Sequence, residues 1–311
     1  MRLYQSMIQE LRKIFQNEEL TYESSIIIGD NSSGKSDVIR GIIKDSITKN
    51  VYYIDSVNRY FSENQIMSLN PNEIIEYSND VVENRIKEDN YNFRDTFFYK
   101  GAPRAIEDFY LQYKDEVRAL MQDFLQTKFE IKHNEVEWQI IVNDEVVKLS
   151  SGYQALLRIF LEITYFSSFH EQGIVVIDEI DEFLSAKNAG QIFNYLRKKF
   201  PQQRFVVTTH SADLIEKAQG VNLIVLHHTK YEILDAGDYA SISQVYNLFQ
   251  KTFLTKEGSS FKEQVDEELR ILLNNKMSGI WKEQEEQLLQ KLEKENLTKA
   301  QKLLFRQIKE W

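Results

Sequence analysis

The chain has no cysteine among its 311 residues, and it has only 3 prolines and 11 glycines. The absence of cysteine excludes a disulfide framework and a thiolate metal site. The scarcity of proline and glycine argues against long linkers. No stretch approaches the roughly 18 apolar residues of a membrane-spanning helix, and Glu10, Arg12 and Lys13 interrupt any signal-peptide pattern. We therefore expect a cytoplasmic globular protein with no membrane segment.

The composition is sufficient for a folded core. Apolar residues make up 42% of the chain and aromatic residues 12%, which suits one large α/β domain or two small ones. The net charge of −10 argues against a generic basic surface that coats nucleic acid. A local groove of Lys and Arg is still compatible with that charge, so nucleic-acid binding stays open. His227 and His228 are interpreted as a strand end, and any metal is expected to be Mg²⁺ held with a nucleotide.

A phosphate-binding pattern lies near the N-terminus. The β-branched residues 26–28 predict a short buried strand, and a helical pattern begins at Asp37. Between them, the pattern G-x-x-x-x-G-K-S is formed by Gly29, Asp30, Asn31, Ser32, Ser33, Gly34, Lys35 and Ser36. Such a loop turns backbone N–H groups inward, Lys35 can bridge the outer phosphates, and Ser36 can hold Mg²⁺. A chance match on a Gly/Ser turn is disfavoured because the flanking strand and helix are in the required order.

Two later apolar strands end in polar groups. Residues 173–177 predict an interior strand that delivers Asp178 and Glu179 to its carboxyl edge. Asp178 is placed to bind Mg²⁺ through water, and Glu179 to orient or deprotonate an attacking water. Residues 205–209 form a similar strand that ends at His210, a potential hydrogen-bond donor to the γ-phosphate. The alternatives are a solvated Asp-Glu turn and a structural histidine.

A small-residue turn precedes an apolar helix at residues 155–163. Ser150, Ser151 and Gly152 form this turn, which is able to bind an anion at the helix N-terminus. A simple N-cap by Ser150 or Ser151 is the favoured interpretation of this segment taken alone.

The remaining hydrophobic periodicities place the other elements. The patterns predict a packing helix over 1–15, strands over 20–25 and 51–55, a helical lobe over about 60–128 whose best helix is 105–126 after Pro103, hairpin strands over 129–131 and 136–142 with a turn before Val146, and a closing hairpin over 221–226 and 231–234. Asp55 and Arg59 are expected at the carboxyl end of the second strand, as ligand contacts or as a structural salt bridge. We predict a first domain over 1–255 and a charged helical extension over 256–311.

Along the chain, the four motifs are the phosphate loop, the turn at Ser150–Gly152, the pair Asp178–Glu179 and the strand end at His210. In this order they resemble the motifs of ABC-type ATPases of the soluble SMC, RecF and OLD-like branch, including small ATPases of bacterial antiphage defence. The resemblance covers roughly residues 20–235 and implies a P-loop NTPase fold of the α/β class. It implies that residues 29–36 are Walker A, Asp178 is the Walker B aspartate, Glu179 the catalytic glutamate, His210 the switch histidine and residues 182–185 the D-loop. It further implies a head-to-head homodimer, or a higher homo-oligomer, in which Ser150, Ser151 and Gly152 reach the γ-phosphate of ATP bound by the opposite subunit.

The chain departs from the family pattern in four places. Tyr153 stands where an acidic residue is usual, Ile180 replaces a proline, and a helix replaces the strands expected before Walker A. A clear Q-loop glutamine is missing, with Gln65 as the candidate by position. These departures affect the contact across the dimer more than ATP binding.

Three functions are compatible with this reading. The leading one is an ATPase switch that controls a separate effector protein, such as a nuclease, in antiphage defence or DNA maintenance. A nuclease within this chain is not expected, because Asp235 and Asp238 have the wrong spacing for a TOPRIM site. The alternatives are the energy subunit of an ABC transporter and a scaffold that binds ATP with little turnover.

Overall fold

The computed structural model describes residues 2–30, 33–46, 50–56, 59–66, 76–86, 97–99, 102–227 and 229–253, and, towards the C-terminus, 265, 268–269, 272–273, 275–276, 281–293, 297 and 299–310. The predictions made for Asn31, Ser32 and His228 lie outside these residues.

The described secondary structure alternates helices and strands along most of the chain. The helices are α1 Arg2–Gln16, α2 Lys35–Ser46, α3 Ser78–Arg85, α4 Tyr110–Leu125, α5 Ser151–Phe169, α6 Ala186–Lys199, α7 Ala212–Lys217, α8 Ile242–Phe253, α9 Glu283–Glu293 and α10 Lys299–Glu310. The strands are β1 Ser25–Gly29, β2 Val51–Ile54, β3 Phe97–Tyr99, β4 Ala102–Arg104, β5 Phe129–His133, β6 Trp138–Val142, β7 Glu145–Val146, β8 Gly173–Ile177, β9 Gln203–Thr208, β10 Asn222–His227 and β11 Lys230–Asp235.

A six-stranded sheet organises the first part of the chain. Its strand order is β11-β10-β1-β9-β8-β2, in which only β11 runs antiparallel to its neighbour. Ile27 of β1 pairs with Ile224 of β10 on one side and with Thr208 of β9 on the other. Because β1, β9 and β8 are adjacent and parallel, their carboxyl ends meet at one edge of the sheet. The predicted α/β fold with a mostly parallel sheet is confirmed.

The buried strands have the composition expected of a sheet covered on both faces. β1 and β8 are built from Ile, Val and Gly with one Ser, and every residue of both strands is buried. The predicted closing hairpin is confirmed as β10 and β11. The predicted strand over 20–25 is wrong except at Ser25. The backbone at Tyr22 is held instead by the buried Asn222 side chain, which accepts from Tyr22 N at 3.1 Å and donates to Tyr22 O at 2.7 Å.

The segment 60–128 differs from its prediction as a wholly helical region. It includes the short hairpin β3–β4, and Pro103 lies within β4 rather than at a helix start. Proline fits a short strand with a single neighbour because its missing N–H breaks no further pairing. The helix predicted over 105–126 begins as a 3₁₀ turn at Ile106–Phe109 and continues as α4. The hairpin predicted after it is confirmed as β5 and β6, and the predicted second turn, at the left-handed Asn143 and Asp144, leads into the short strand β7.

The chain forms two compact units, Met1–Phe253 and Leu254–Trp311. In the first unit, α5 contributes the largest set of fully buried apolar residues and packs beside α4. The second unit has its own apolar cluster, made by Val265, Leu269, Leu272, Leu289, Leu292, Leu297, Phe305 and Ile308. Within the described residues, no helix combines the length and the low charge that crossing a membrane requires.

Candidate functional site

The phosphate loop joins β1 to α2 through a tight turn. Ser33 N donates to the Asp30 carbonyl at 3.0 Å, and Gly34 adopts a φ of +102°. This left-handed backbone is readily adopted only by glycine. A β-carbon at Gly34 would also lie 2.7 Å from the hydroxyl oxygen of Tyr4. Gly34 is therefore required both by the backbone turn and by the close approach of α1.

Lys35 is folded back over the loop that precedes it. Its Nζ donates to the carbonyl of Gly29 at 2.8 Å and to that of Asp30 at 3.2 Å. Burial lowers the pKa of Lys35, while the carboxylates of Glu179, Asp178 and Asp30 oppose this change. The ammonium group thus lies between the loop and the two acids, where an anionic phosphate would be attracted to it.

A cavity of about 360 Å³ contains most of the predicted nucleotide-binding residues. It is lined by Tyr4, Asp30, Ser33, Gly34, Lys35, Ser36, Asp37, Arg40, Asp178 and Glu179. The sheet topology explains this convergence, because the phosphate loop follows β1 and the two acids follow β8. The structure therefore brings the Walker A and Walker B sequence patterns to one place.

Ser36 and Asp178, the predicted metal ligands, both line this cavity. Mg²⁺ is commonly held by one or two protein oxygens, together with water and substrate phosphates, rather than by an all-protein cage. Within the described residues, no group of three or more His, Asp or Glu side chains forms such a cage. A hydroxyl and a carboxylate beside a phosphate loop are a donor set that fits Mg²⁺ bound with a nucleotide.

The two acids occupy an unusual turn after β8. Glu179 has a φ of +49°, a left-handed conformation that costs a non-glycine residue on the order of 1 kcal/mol. Burial raises the pKa of Glu179, and the negative charges of Asp178 and Glu182 raise it further. A carboxylate with a raised pKa is a better proton acceptor, which suits a general base.

His210 follows the carboxyl end of β9, close to the same edge of the sheet. It is not among the residues that line the phosphate cavity. Desolvation lowers the pKa of His210, and the charge of Lys35 lowers it further. The imidazole is therefore neutral at pH 7, and a neutral imidazole retains one N–H donor.

The predicted signature residues lie at the start of α5, outside the phosphate cavity of their own chain. Ser150 is the N-cap, and its hydroxyl accepts from Tyr153 N at 3.4 Å. Gly152 lies against the predicted D-loop, since a β-carbon there would be 2.7 Å from the carbonyl oxygen of Phe183. Phe183 itself is left-handed, with a φ of +65°, and its side chain is 50% exposed. The turn at Gly152 thus adjoins the backbone of a residue whose aromatic side chain is exposed.

Buried charges lie beneath the acids, at the end of β2. Arg59 is 2% exposed and donates from Nη2 to the carbonyl of Asp178 at 2.8 Å. Asp55 is also buried, and its ion-pair partner is Arg85, at 3.9 Å. Neither Asp55 nor Arg59 lines the phosphate cavity. Asp55 and Arg59 were expected either to contact a ligand or to form a structural salt bridge, and their burial fits a structural role.

Sequence reasoning did not identify Tyr4, Arg40 or Thr208 as site residues. Tyr4 enters the cavity from α1, where its hydroxyl donates to Asp37, and no local motif signals this long-range contact. Arg40 was detectable in principle, since it lies one helical turn beyond Ser36 on α2. Gln65, the candidate Q-loop residue, is exposed in a 3₁₀ turn and does not line the cavity.

Comparison with known proteins finds one short sequence match to a curated protein and several distant structural matches. A stretch of 68 residues is 35% identical to the Septu protein PtuA of Bacillus mycoides (strain KBAB4), covering 20% of this chain and 10% of that protein. The chain thus spans about a tenth of the length of this curated relative. The SMC head domain from Thermotoga maritima is 15% identical, with a TM-score of 0.37, over 68% of this chain and 89% of that chain. An SmcHead bound to the C-winged helix domain of ScpA is 14% identical, with a TM-score of 0.32, over 42% of this chain and 46% of the other.

The family assignment depends on a longer match. Residues 3–232 match the family described as the RecF/RecN/SMC N terminal domain. This range includes all four motifs and every strand of the central sheet except the end of β11. The chain therefore belongs to the RecF/RecN/SMC N-terminal domain family, an SMC/RecF-like group of ABC-type ATPases, as the order of its motifs indicated.

Proposed function

We propose that the protein binds ATP with Mg²⁺ and hydrolyses it in a site completed by a second copy of the chain. The observation that carries this proposal is the convergence of Lys35, Ser36, Asp178 and Glu179 in one cavity. Each residue type has a distinct task in phosphoryl transfer, and positioning with electrostatic stabilisation supplies most of such catalysis. A scaffold that merely bound ATP would not need Glu179.

The roles of the residues follow from their positions. The phosphate loop and Lys35 bind the β- and γ-phosphates, and the ammonium neutralises charge that develops on them. Mg²⁺, held by Ser36 and through water by Asp178, would supply further charge neutralisation. Glu179, with its raised pKa, accepts a proton from the attacking water. His210 donates an N–H to the γ-phosphate.

The dimer is proposed because the signature residues do not reach the cavity of their own chain. They lie at the start of α5 instead, where Gly152 adjoins the backbone carbonyl of the exposed Phe183. In a twofold symmetric dimer the same surface is used by both subunits, so the signature of one copy would face the nucleotide of the other. ATP would then favour dimer closure, and hydrolysis would release it.

The dimer is tested by the solution mass of Glu179→Gln, measured by light scattering with and without ATP and Mg²⁺. We expect a monomer that becomes a dimer only when both are present, because bound ATP is retained when its hydrolysis is slow. Glu179→Gln combined with Lys35→Ala is the matched control and should stay monomeric. A fixed larger assembly in all conditions would contradict the switch and favour a scaffold.

We further propose that the ATP-dependent state controls a separate effector protein, such as a nuclease, in antiphage defence. The support is the resemblance of the motif set to defence ATPases and the 35% match to a Septu protein. Nucleic acid is a further potential ligand. In cells that carry the native locus, Lys35→Ala should abolish protection in plaque assays, whereas Lys44→Ala, on the exposed side of the same helix, should preserve it. Full protection by Lys35→Ala would contradict the defence role of ATP.

A further inference from the structure

The hydroxyl group of Thr208 connects the two acids of the proposed ATPase site. Thr208 is the last residue of β9 and is completely buried. Its Oγ1 lies 2.6 Å from Oδ1 of Asp178 and 2.6 Å from the backbone nitrogen of Glu179. One buried hydroxyl therefore contacts both the predicted metal ligand and the backbone of the predicted general base.

The direction of both hydrogen bonds follows from their chemistry. The backbone N–H of Glu179 can only donate, so it uses a lone pair of the Thr208 oxygen. The hydroxyl proton then remains for Asp178, whose ionised carboxylate can only accept. A bond to a charged acceptor in a buried site is stronger than one between neutral groups. The geometry therefore assigns a single orientation to the hydroxyl.

The backbone of Thr208 also supports this turn. Its carbonyl oxygen accepts from Ile180 N at 3.0 Å. Thr208 thus contacts the Asp178 side chain and the amides of Glu179 and Ile180. Glu179, between them, is the residue with the left-handed φ of +49°. A strained conformation of this type persists only where the surrounding contacts determine it. Among the described residues, Thr208 supplies the hydrogen bonds to the amides on both sides of the Glu179 α-carbon.

We propose that Thr208 is a positioning residue that sets the orientation of Asp178 and Glu179 together. Its hydroxyl donates to Oδ1 of Asp178 and would fix the orientation in which this carboxylate accepts from water on Mg²⁺. The same hydroxyl holds the amide of Glu179, so that its carboxylate stays at the cavity wall. Loss of the hydroxyl would release both acids at once. This inference rests on the proposed ATPase function, because it assigns a role within that site.

The test compares Thr208→Ser with Thr208→Ala. Both variants lack the methyl group of threonine, and they differ only in the hydroxyl. We expect Thr208→Ser to keep kcat within about threefold of wild type, and Thr208→Ala to lower kcat by on the order of tenfold or more, as loss of one positioning hydrogen bond would. The Kd for ATP measured without Mg²⁺ should change by less than about threefold in both, because Thr208 is not among the described residues that line the phosphate cavity.

A second readout does not depend on turnover. The Mg²⁺ concentration needed for half-maximal enhancement of ATP binding should rise in Thr208→Ala and stay near wild type in Thr208→Ser. Thr164→Val is the matched control, since the Thr164 hydroxyl on α5 is buried and has no hydrogen-bond partner in the part of the chain that the structure describes. That variant should leave kcat and the Mg²⁺ requirement unchanged.

The outcomes separate this proposal from the ATPase function. Equal kcat and equal Mg²⁺ requirement in Thr208→Ser and Thr208→Ala would overturn the role of the hydroxyl, as would losses that only follow the melting temperature. Absence of turnover in the wild type would instead contradict the ATPase function, and the Mg²⁺ readout would still decide the role of Thr208.

Discussion

Arg85 donates from Nη1 to Oε2 of Glu162 at 2.7 Å, and both side chains are buried, with exposures of 1% and 0%. Glu162 also accepts from Arg158 Nε at 2.7 Å and from the Tyr52 hydroxyl at 2.9 Å. Burial by itself would raise the pKa of Glu162, but Arg85 and Arg158 lower it to about 2. This carboxylate thus connects α5, the helix that begins at the signature turn, to α3 and β2.

The first prediction concerns stability in acid. Because the pKa of Glu162 is depressed from 4.5 to about 2, the charged form stabilises the fold above pH 4.5, and this contribution is lost as the pH falls towards about 2. Glu162→Gln should lower the free energy of unfolding at pH 7 by about 3 kcal/mol, since it removes the buried negative charge that Arg85 and Arg158 share. Urea unfolding at several pH values measures this. The exposed Glu116→Gln is the control, and an equal effect of both variants would contradict the prediction.

The second prediction concerns nucleotide binding. Lys35→Ala should weaken ATP binding by at least a hundredfold, because it removes the ammonium that Lys35 contributes to the cavity, where no other described lining residue is a lysine. Lys44→Ala removes an exposed lysine from the same helix and should bind ATP as the wild type does. Fluorescent ATP titration measures both affinities. Similar affinities in the two variants would exclude Lys35 from the site.

The third prediction concerns hydrolysis and its pH dependence. Glu179→Gln should retain ATP and lower hydrolysis by on the order of a hundredfold or more, as loss of a general base does. In the wild type, Glu179 must be ionised, so its raised pKa places the acidic limb of the kcat/KM profile above 4.5. Phosphate release measured from pH 4 to 9 should show this limb in the wild type. Equal rates in Glu179→Gln and wild type would refute the assignment.

The fourth prediction concerns the role of His210. The pKa of His210 is lowered from its ordinary value of 6.5, so the ring is mainly neutral at any pH above 6.5. Protonation of this histidine should therefore produce no change in rate between pH 7 and 8. His210→Asn, which keeps a donor, should be more active than His210→Ala when both are assayed at pH 7.5. The reverse order would contradict a hydrogen-bond donor at this position.

The fifth prediction concerns the dimer surface. Phe183→Asp should weaken ATP-dependent dimerisation of the Glu179→Gln protein by at least tenfold. The new carboxylate would lose its hydration when it is buried in the interface, and the apolar contact of the ring would be lost as well. Tyr246→Asp changes an equally exposed ring on α8, where the side chain is 51% exposed, and should have little effect. Sedimentation velocity with ATP and Mg²⁺ measures both. Equal weakening by the two variants would remove Phe183 from the proposed interface.

Local patterns were sufficient for the elements whose chemistry is contiguous in the chain. The apolar residues 26–28 and 173–177 determine buried strands because β-branched side chains fit a sheet covered on both faces. The pattern from Gly29 to Ser36 determines the phosphate loop, since glycine and a following helix are what such a loop requires. Pro103 misled the prediction because it suits a helix start and a short hairpin strand equally well.

Contacts between distant segments could not be obtained in this way. The motifs were enough to identify the family, the phosphate loop, the two acids and the strand that precedes them. The packing of the folded chain, in contrast, places Tyr4 at one side of the cavity, the Thr208 hydroxyl between Asp178 and Glu179, and Glu162 between two arginines. Periodicity reports which face of an element is buried, whereas these contacts depend on which strands become neighbours, and strand order is set by the packing of the whole domain.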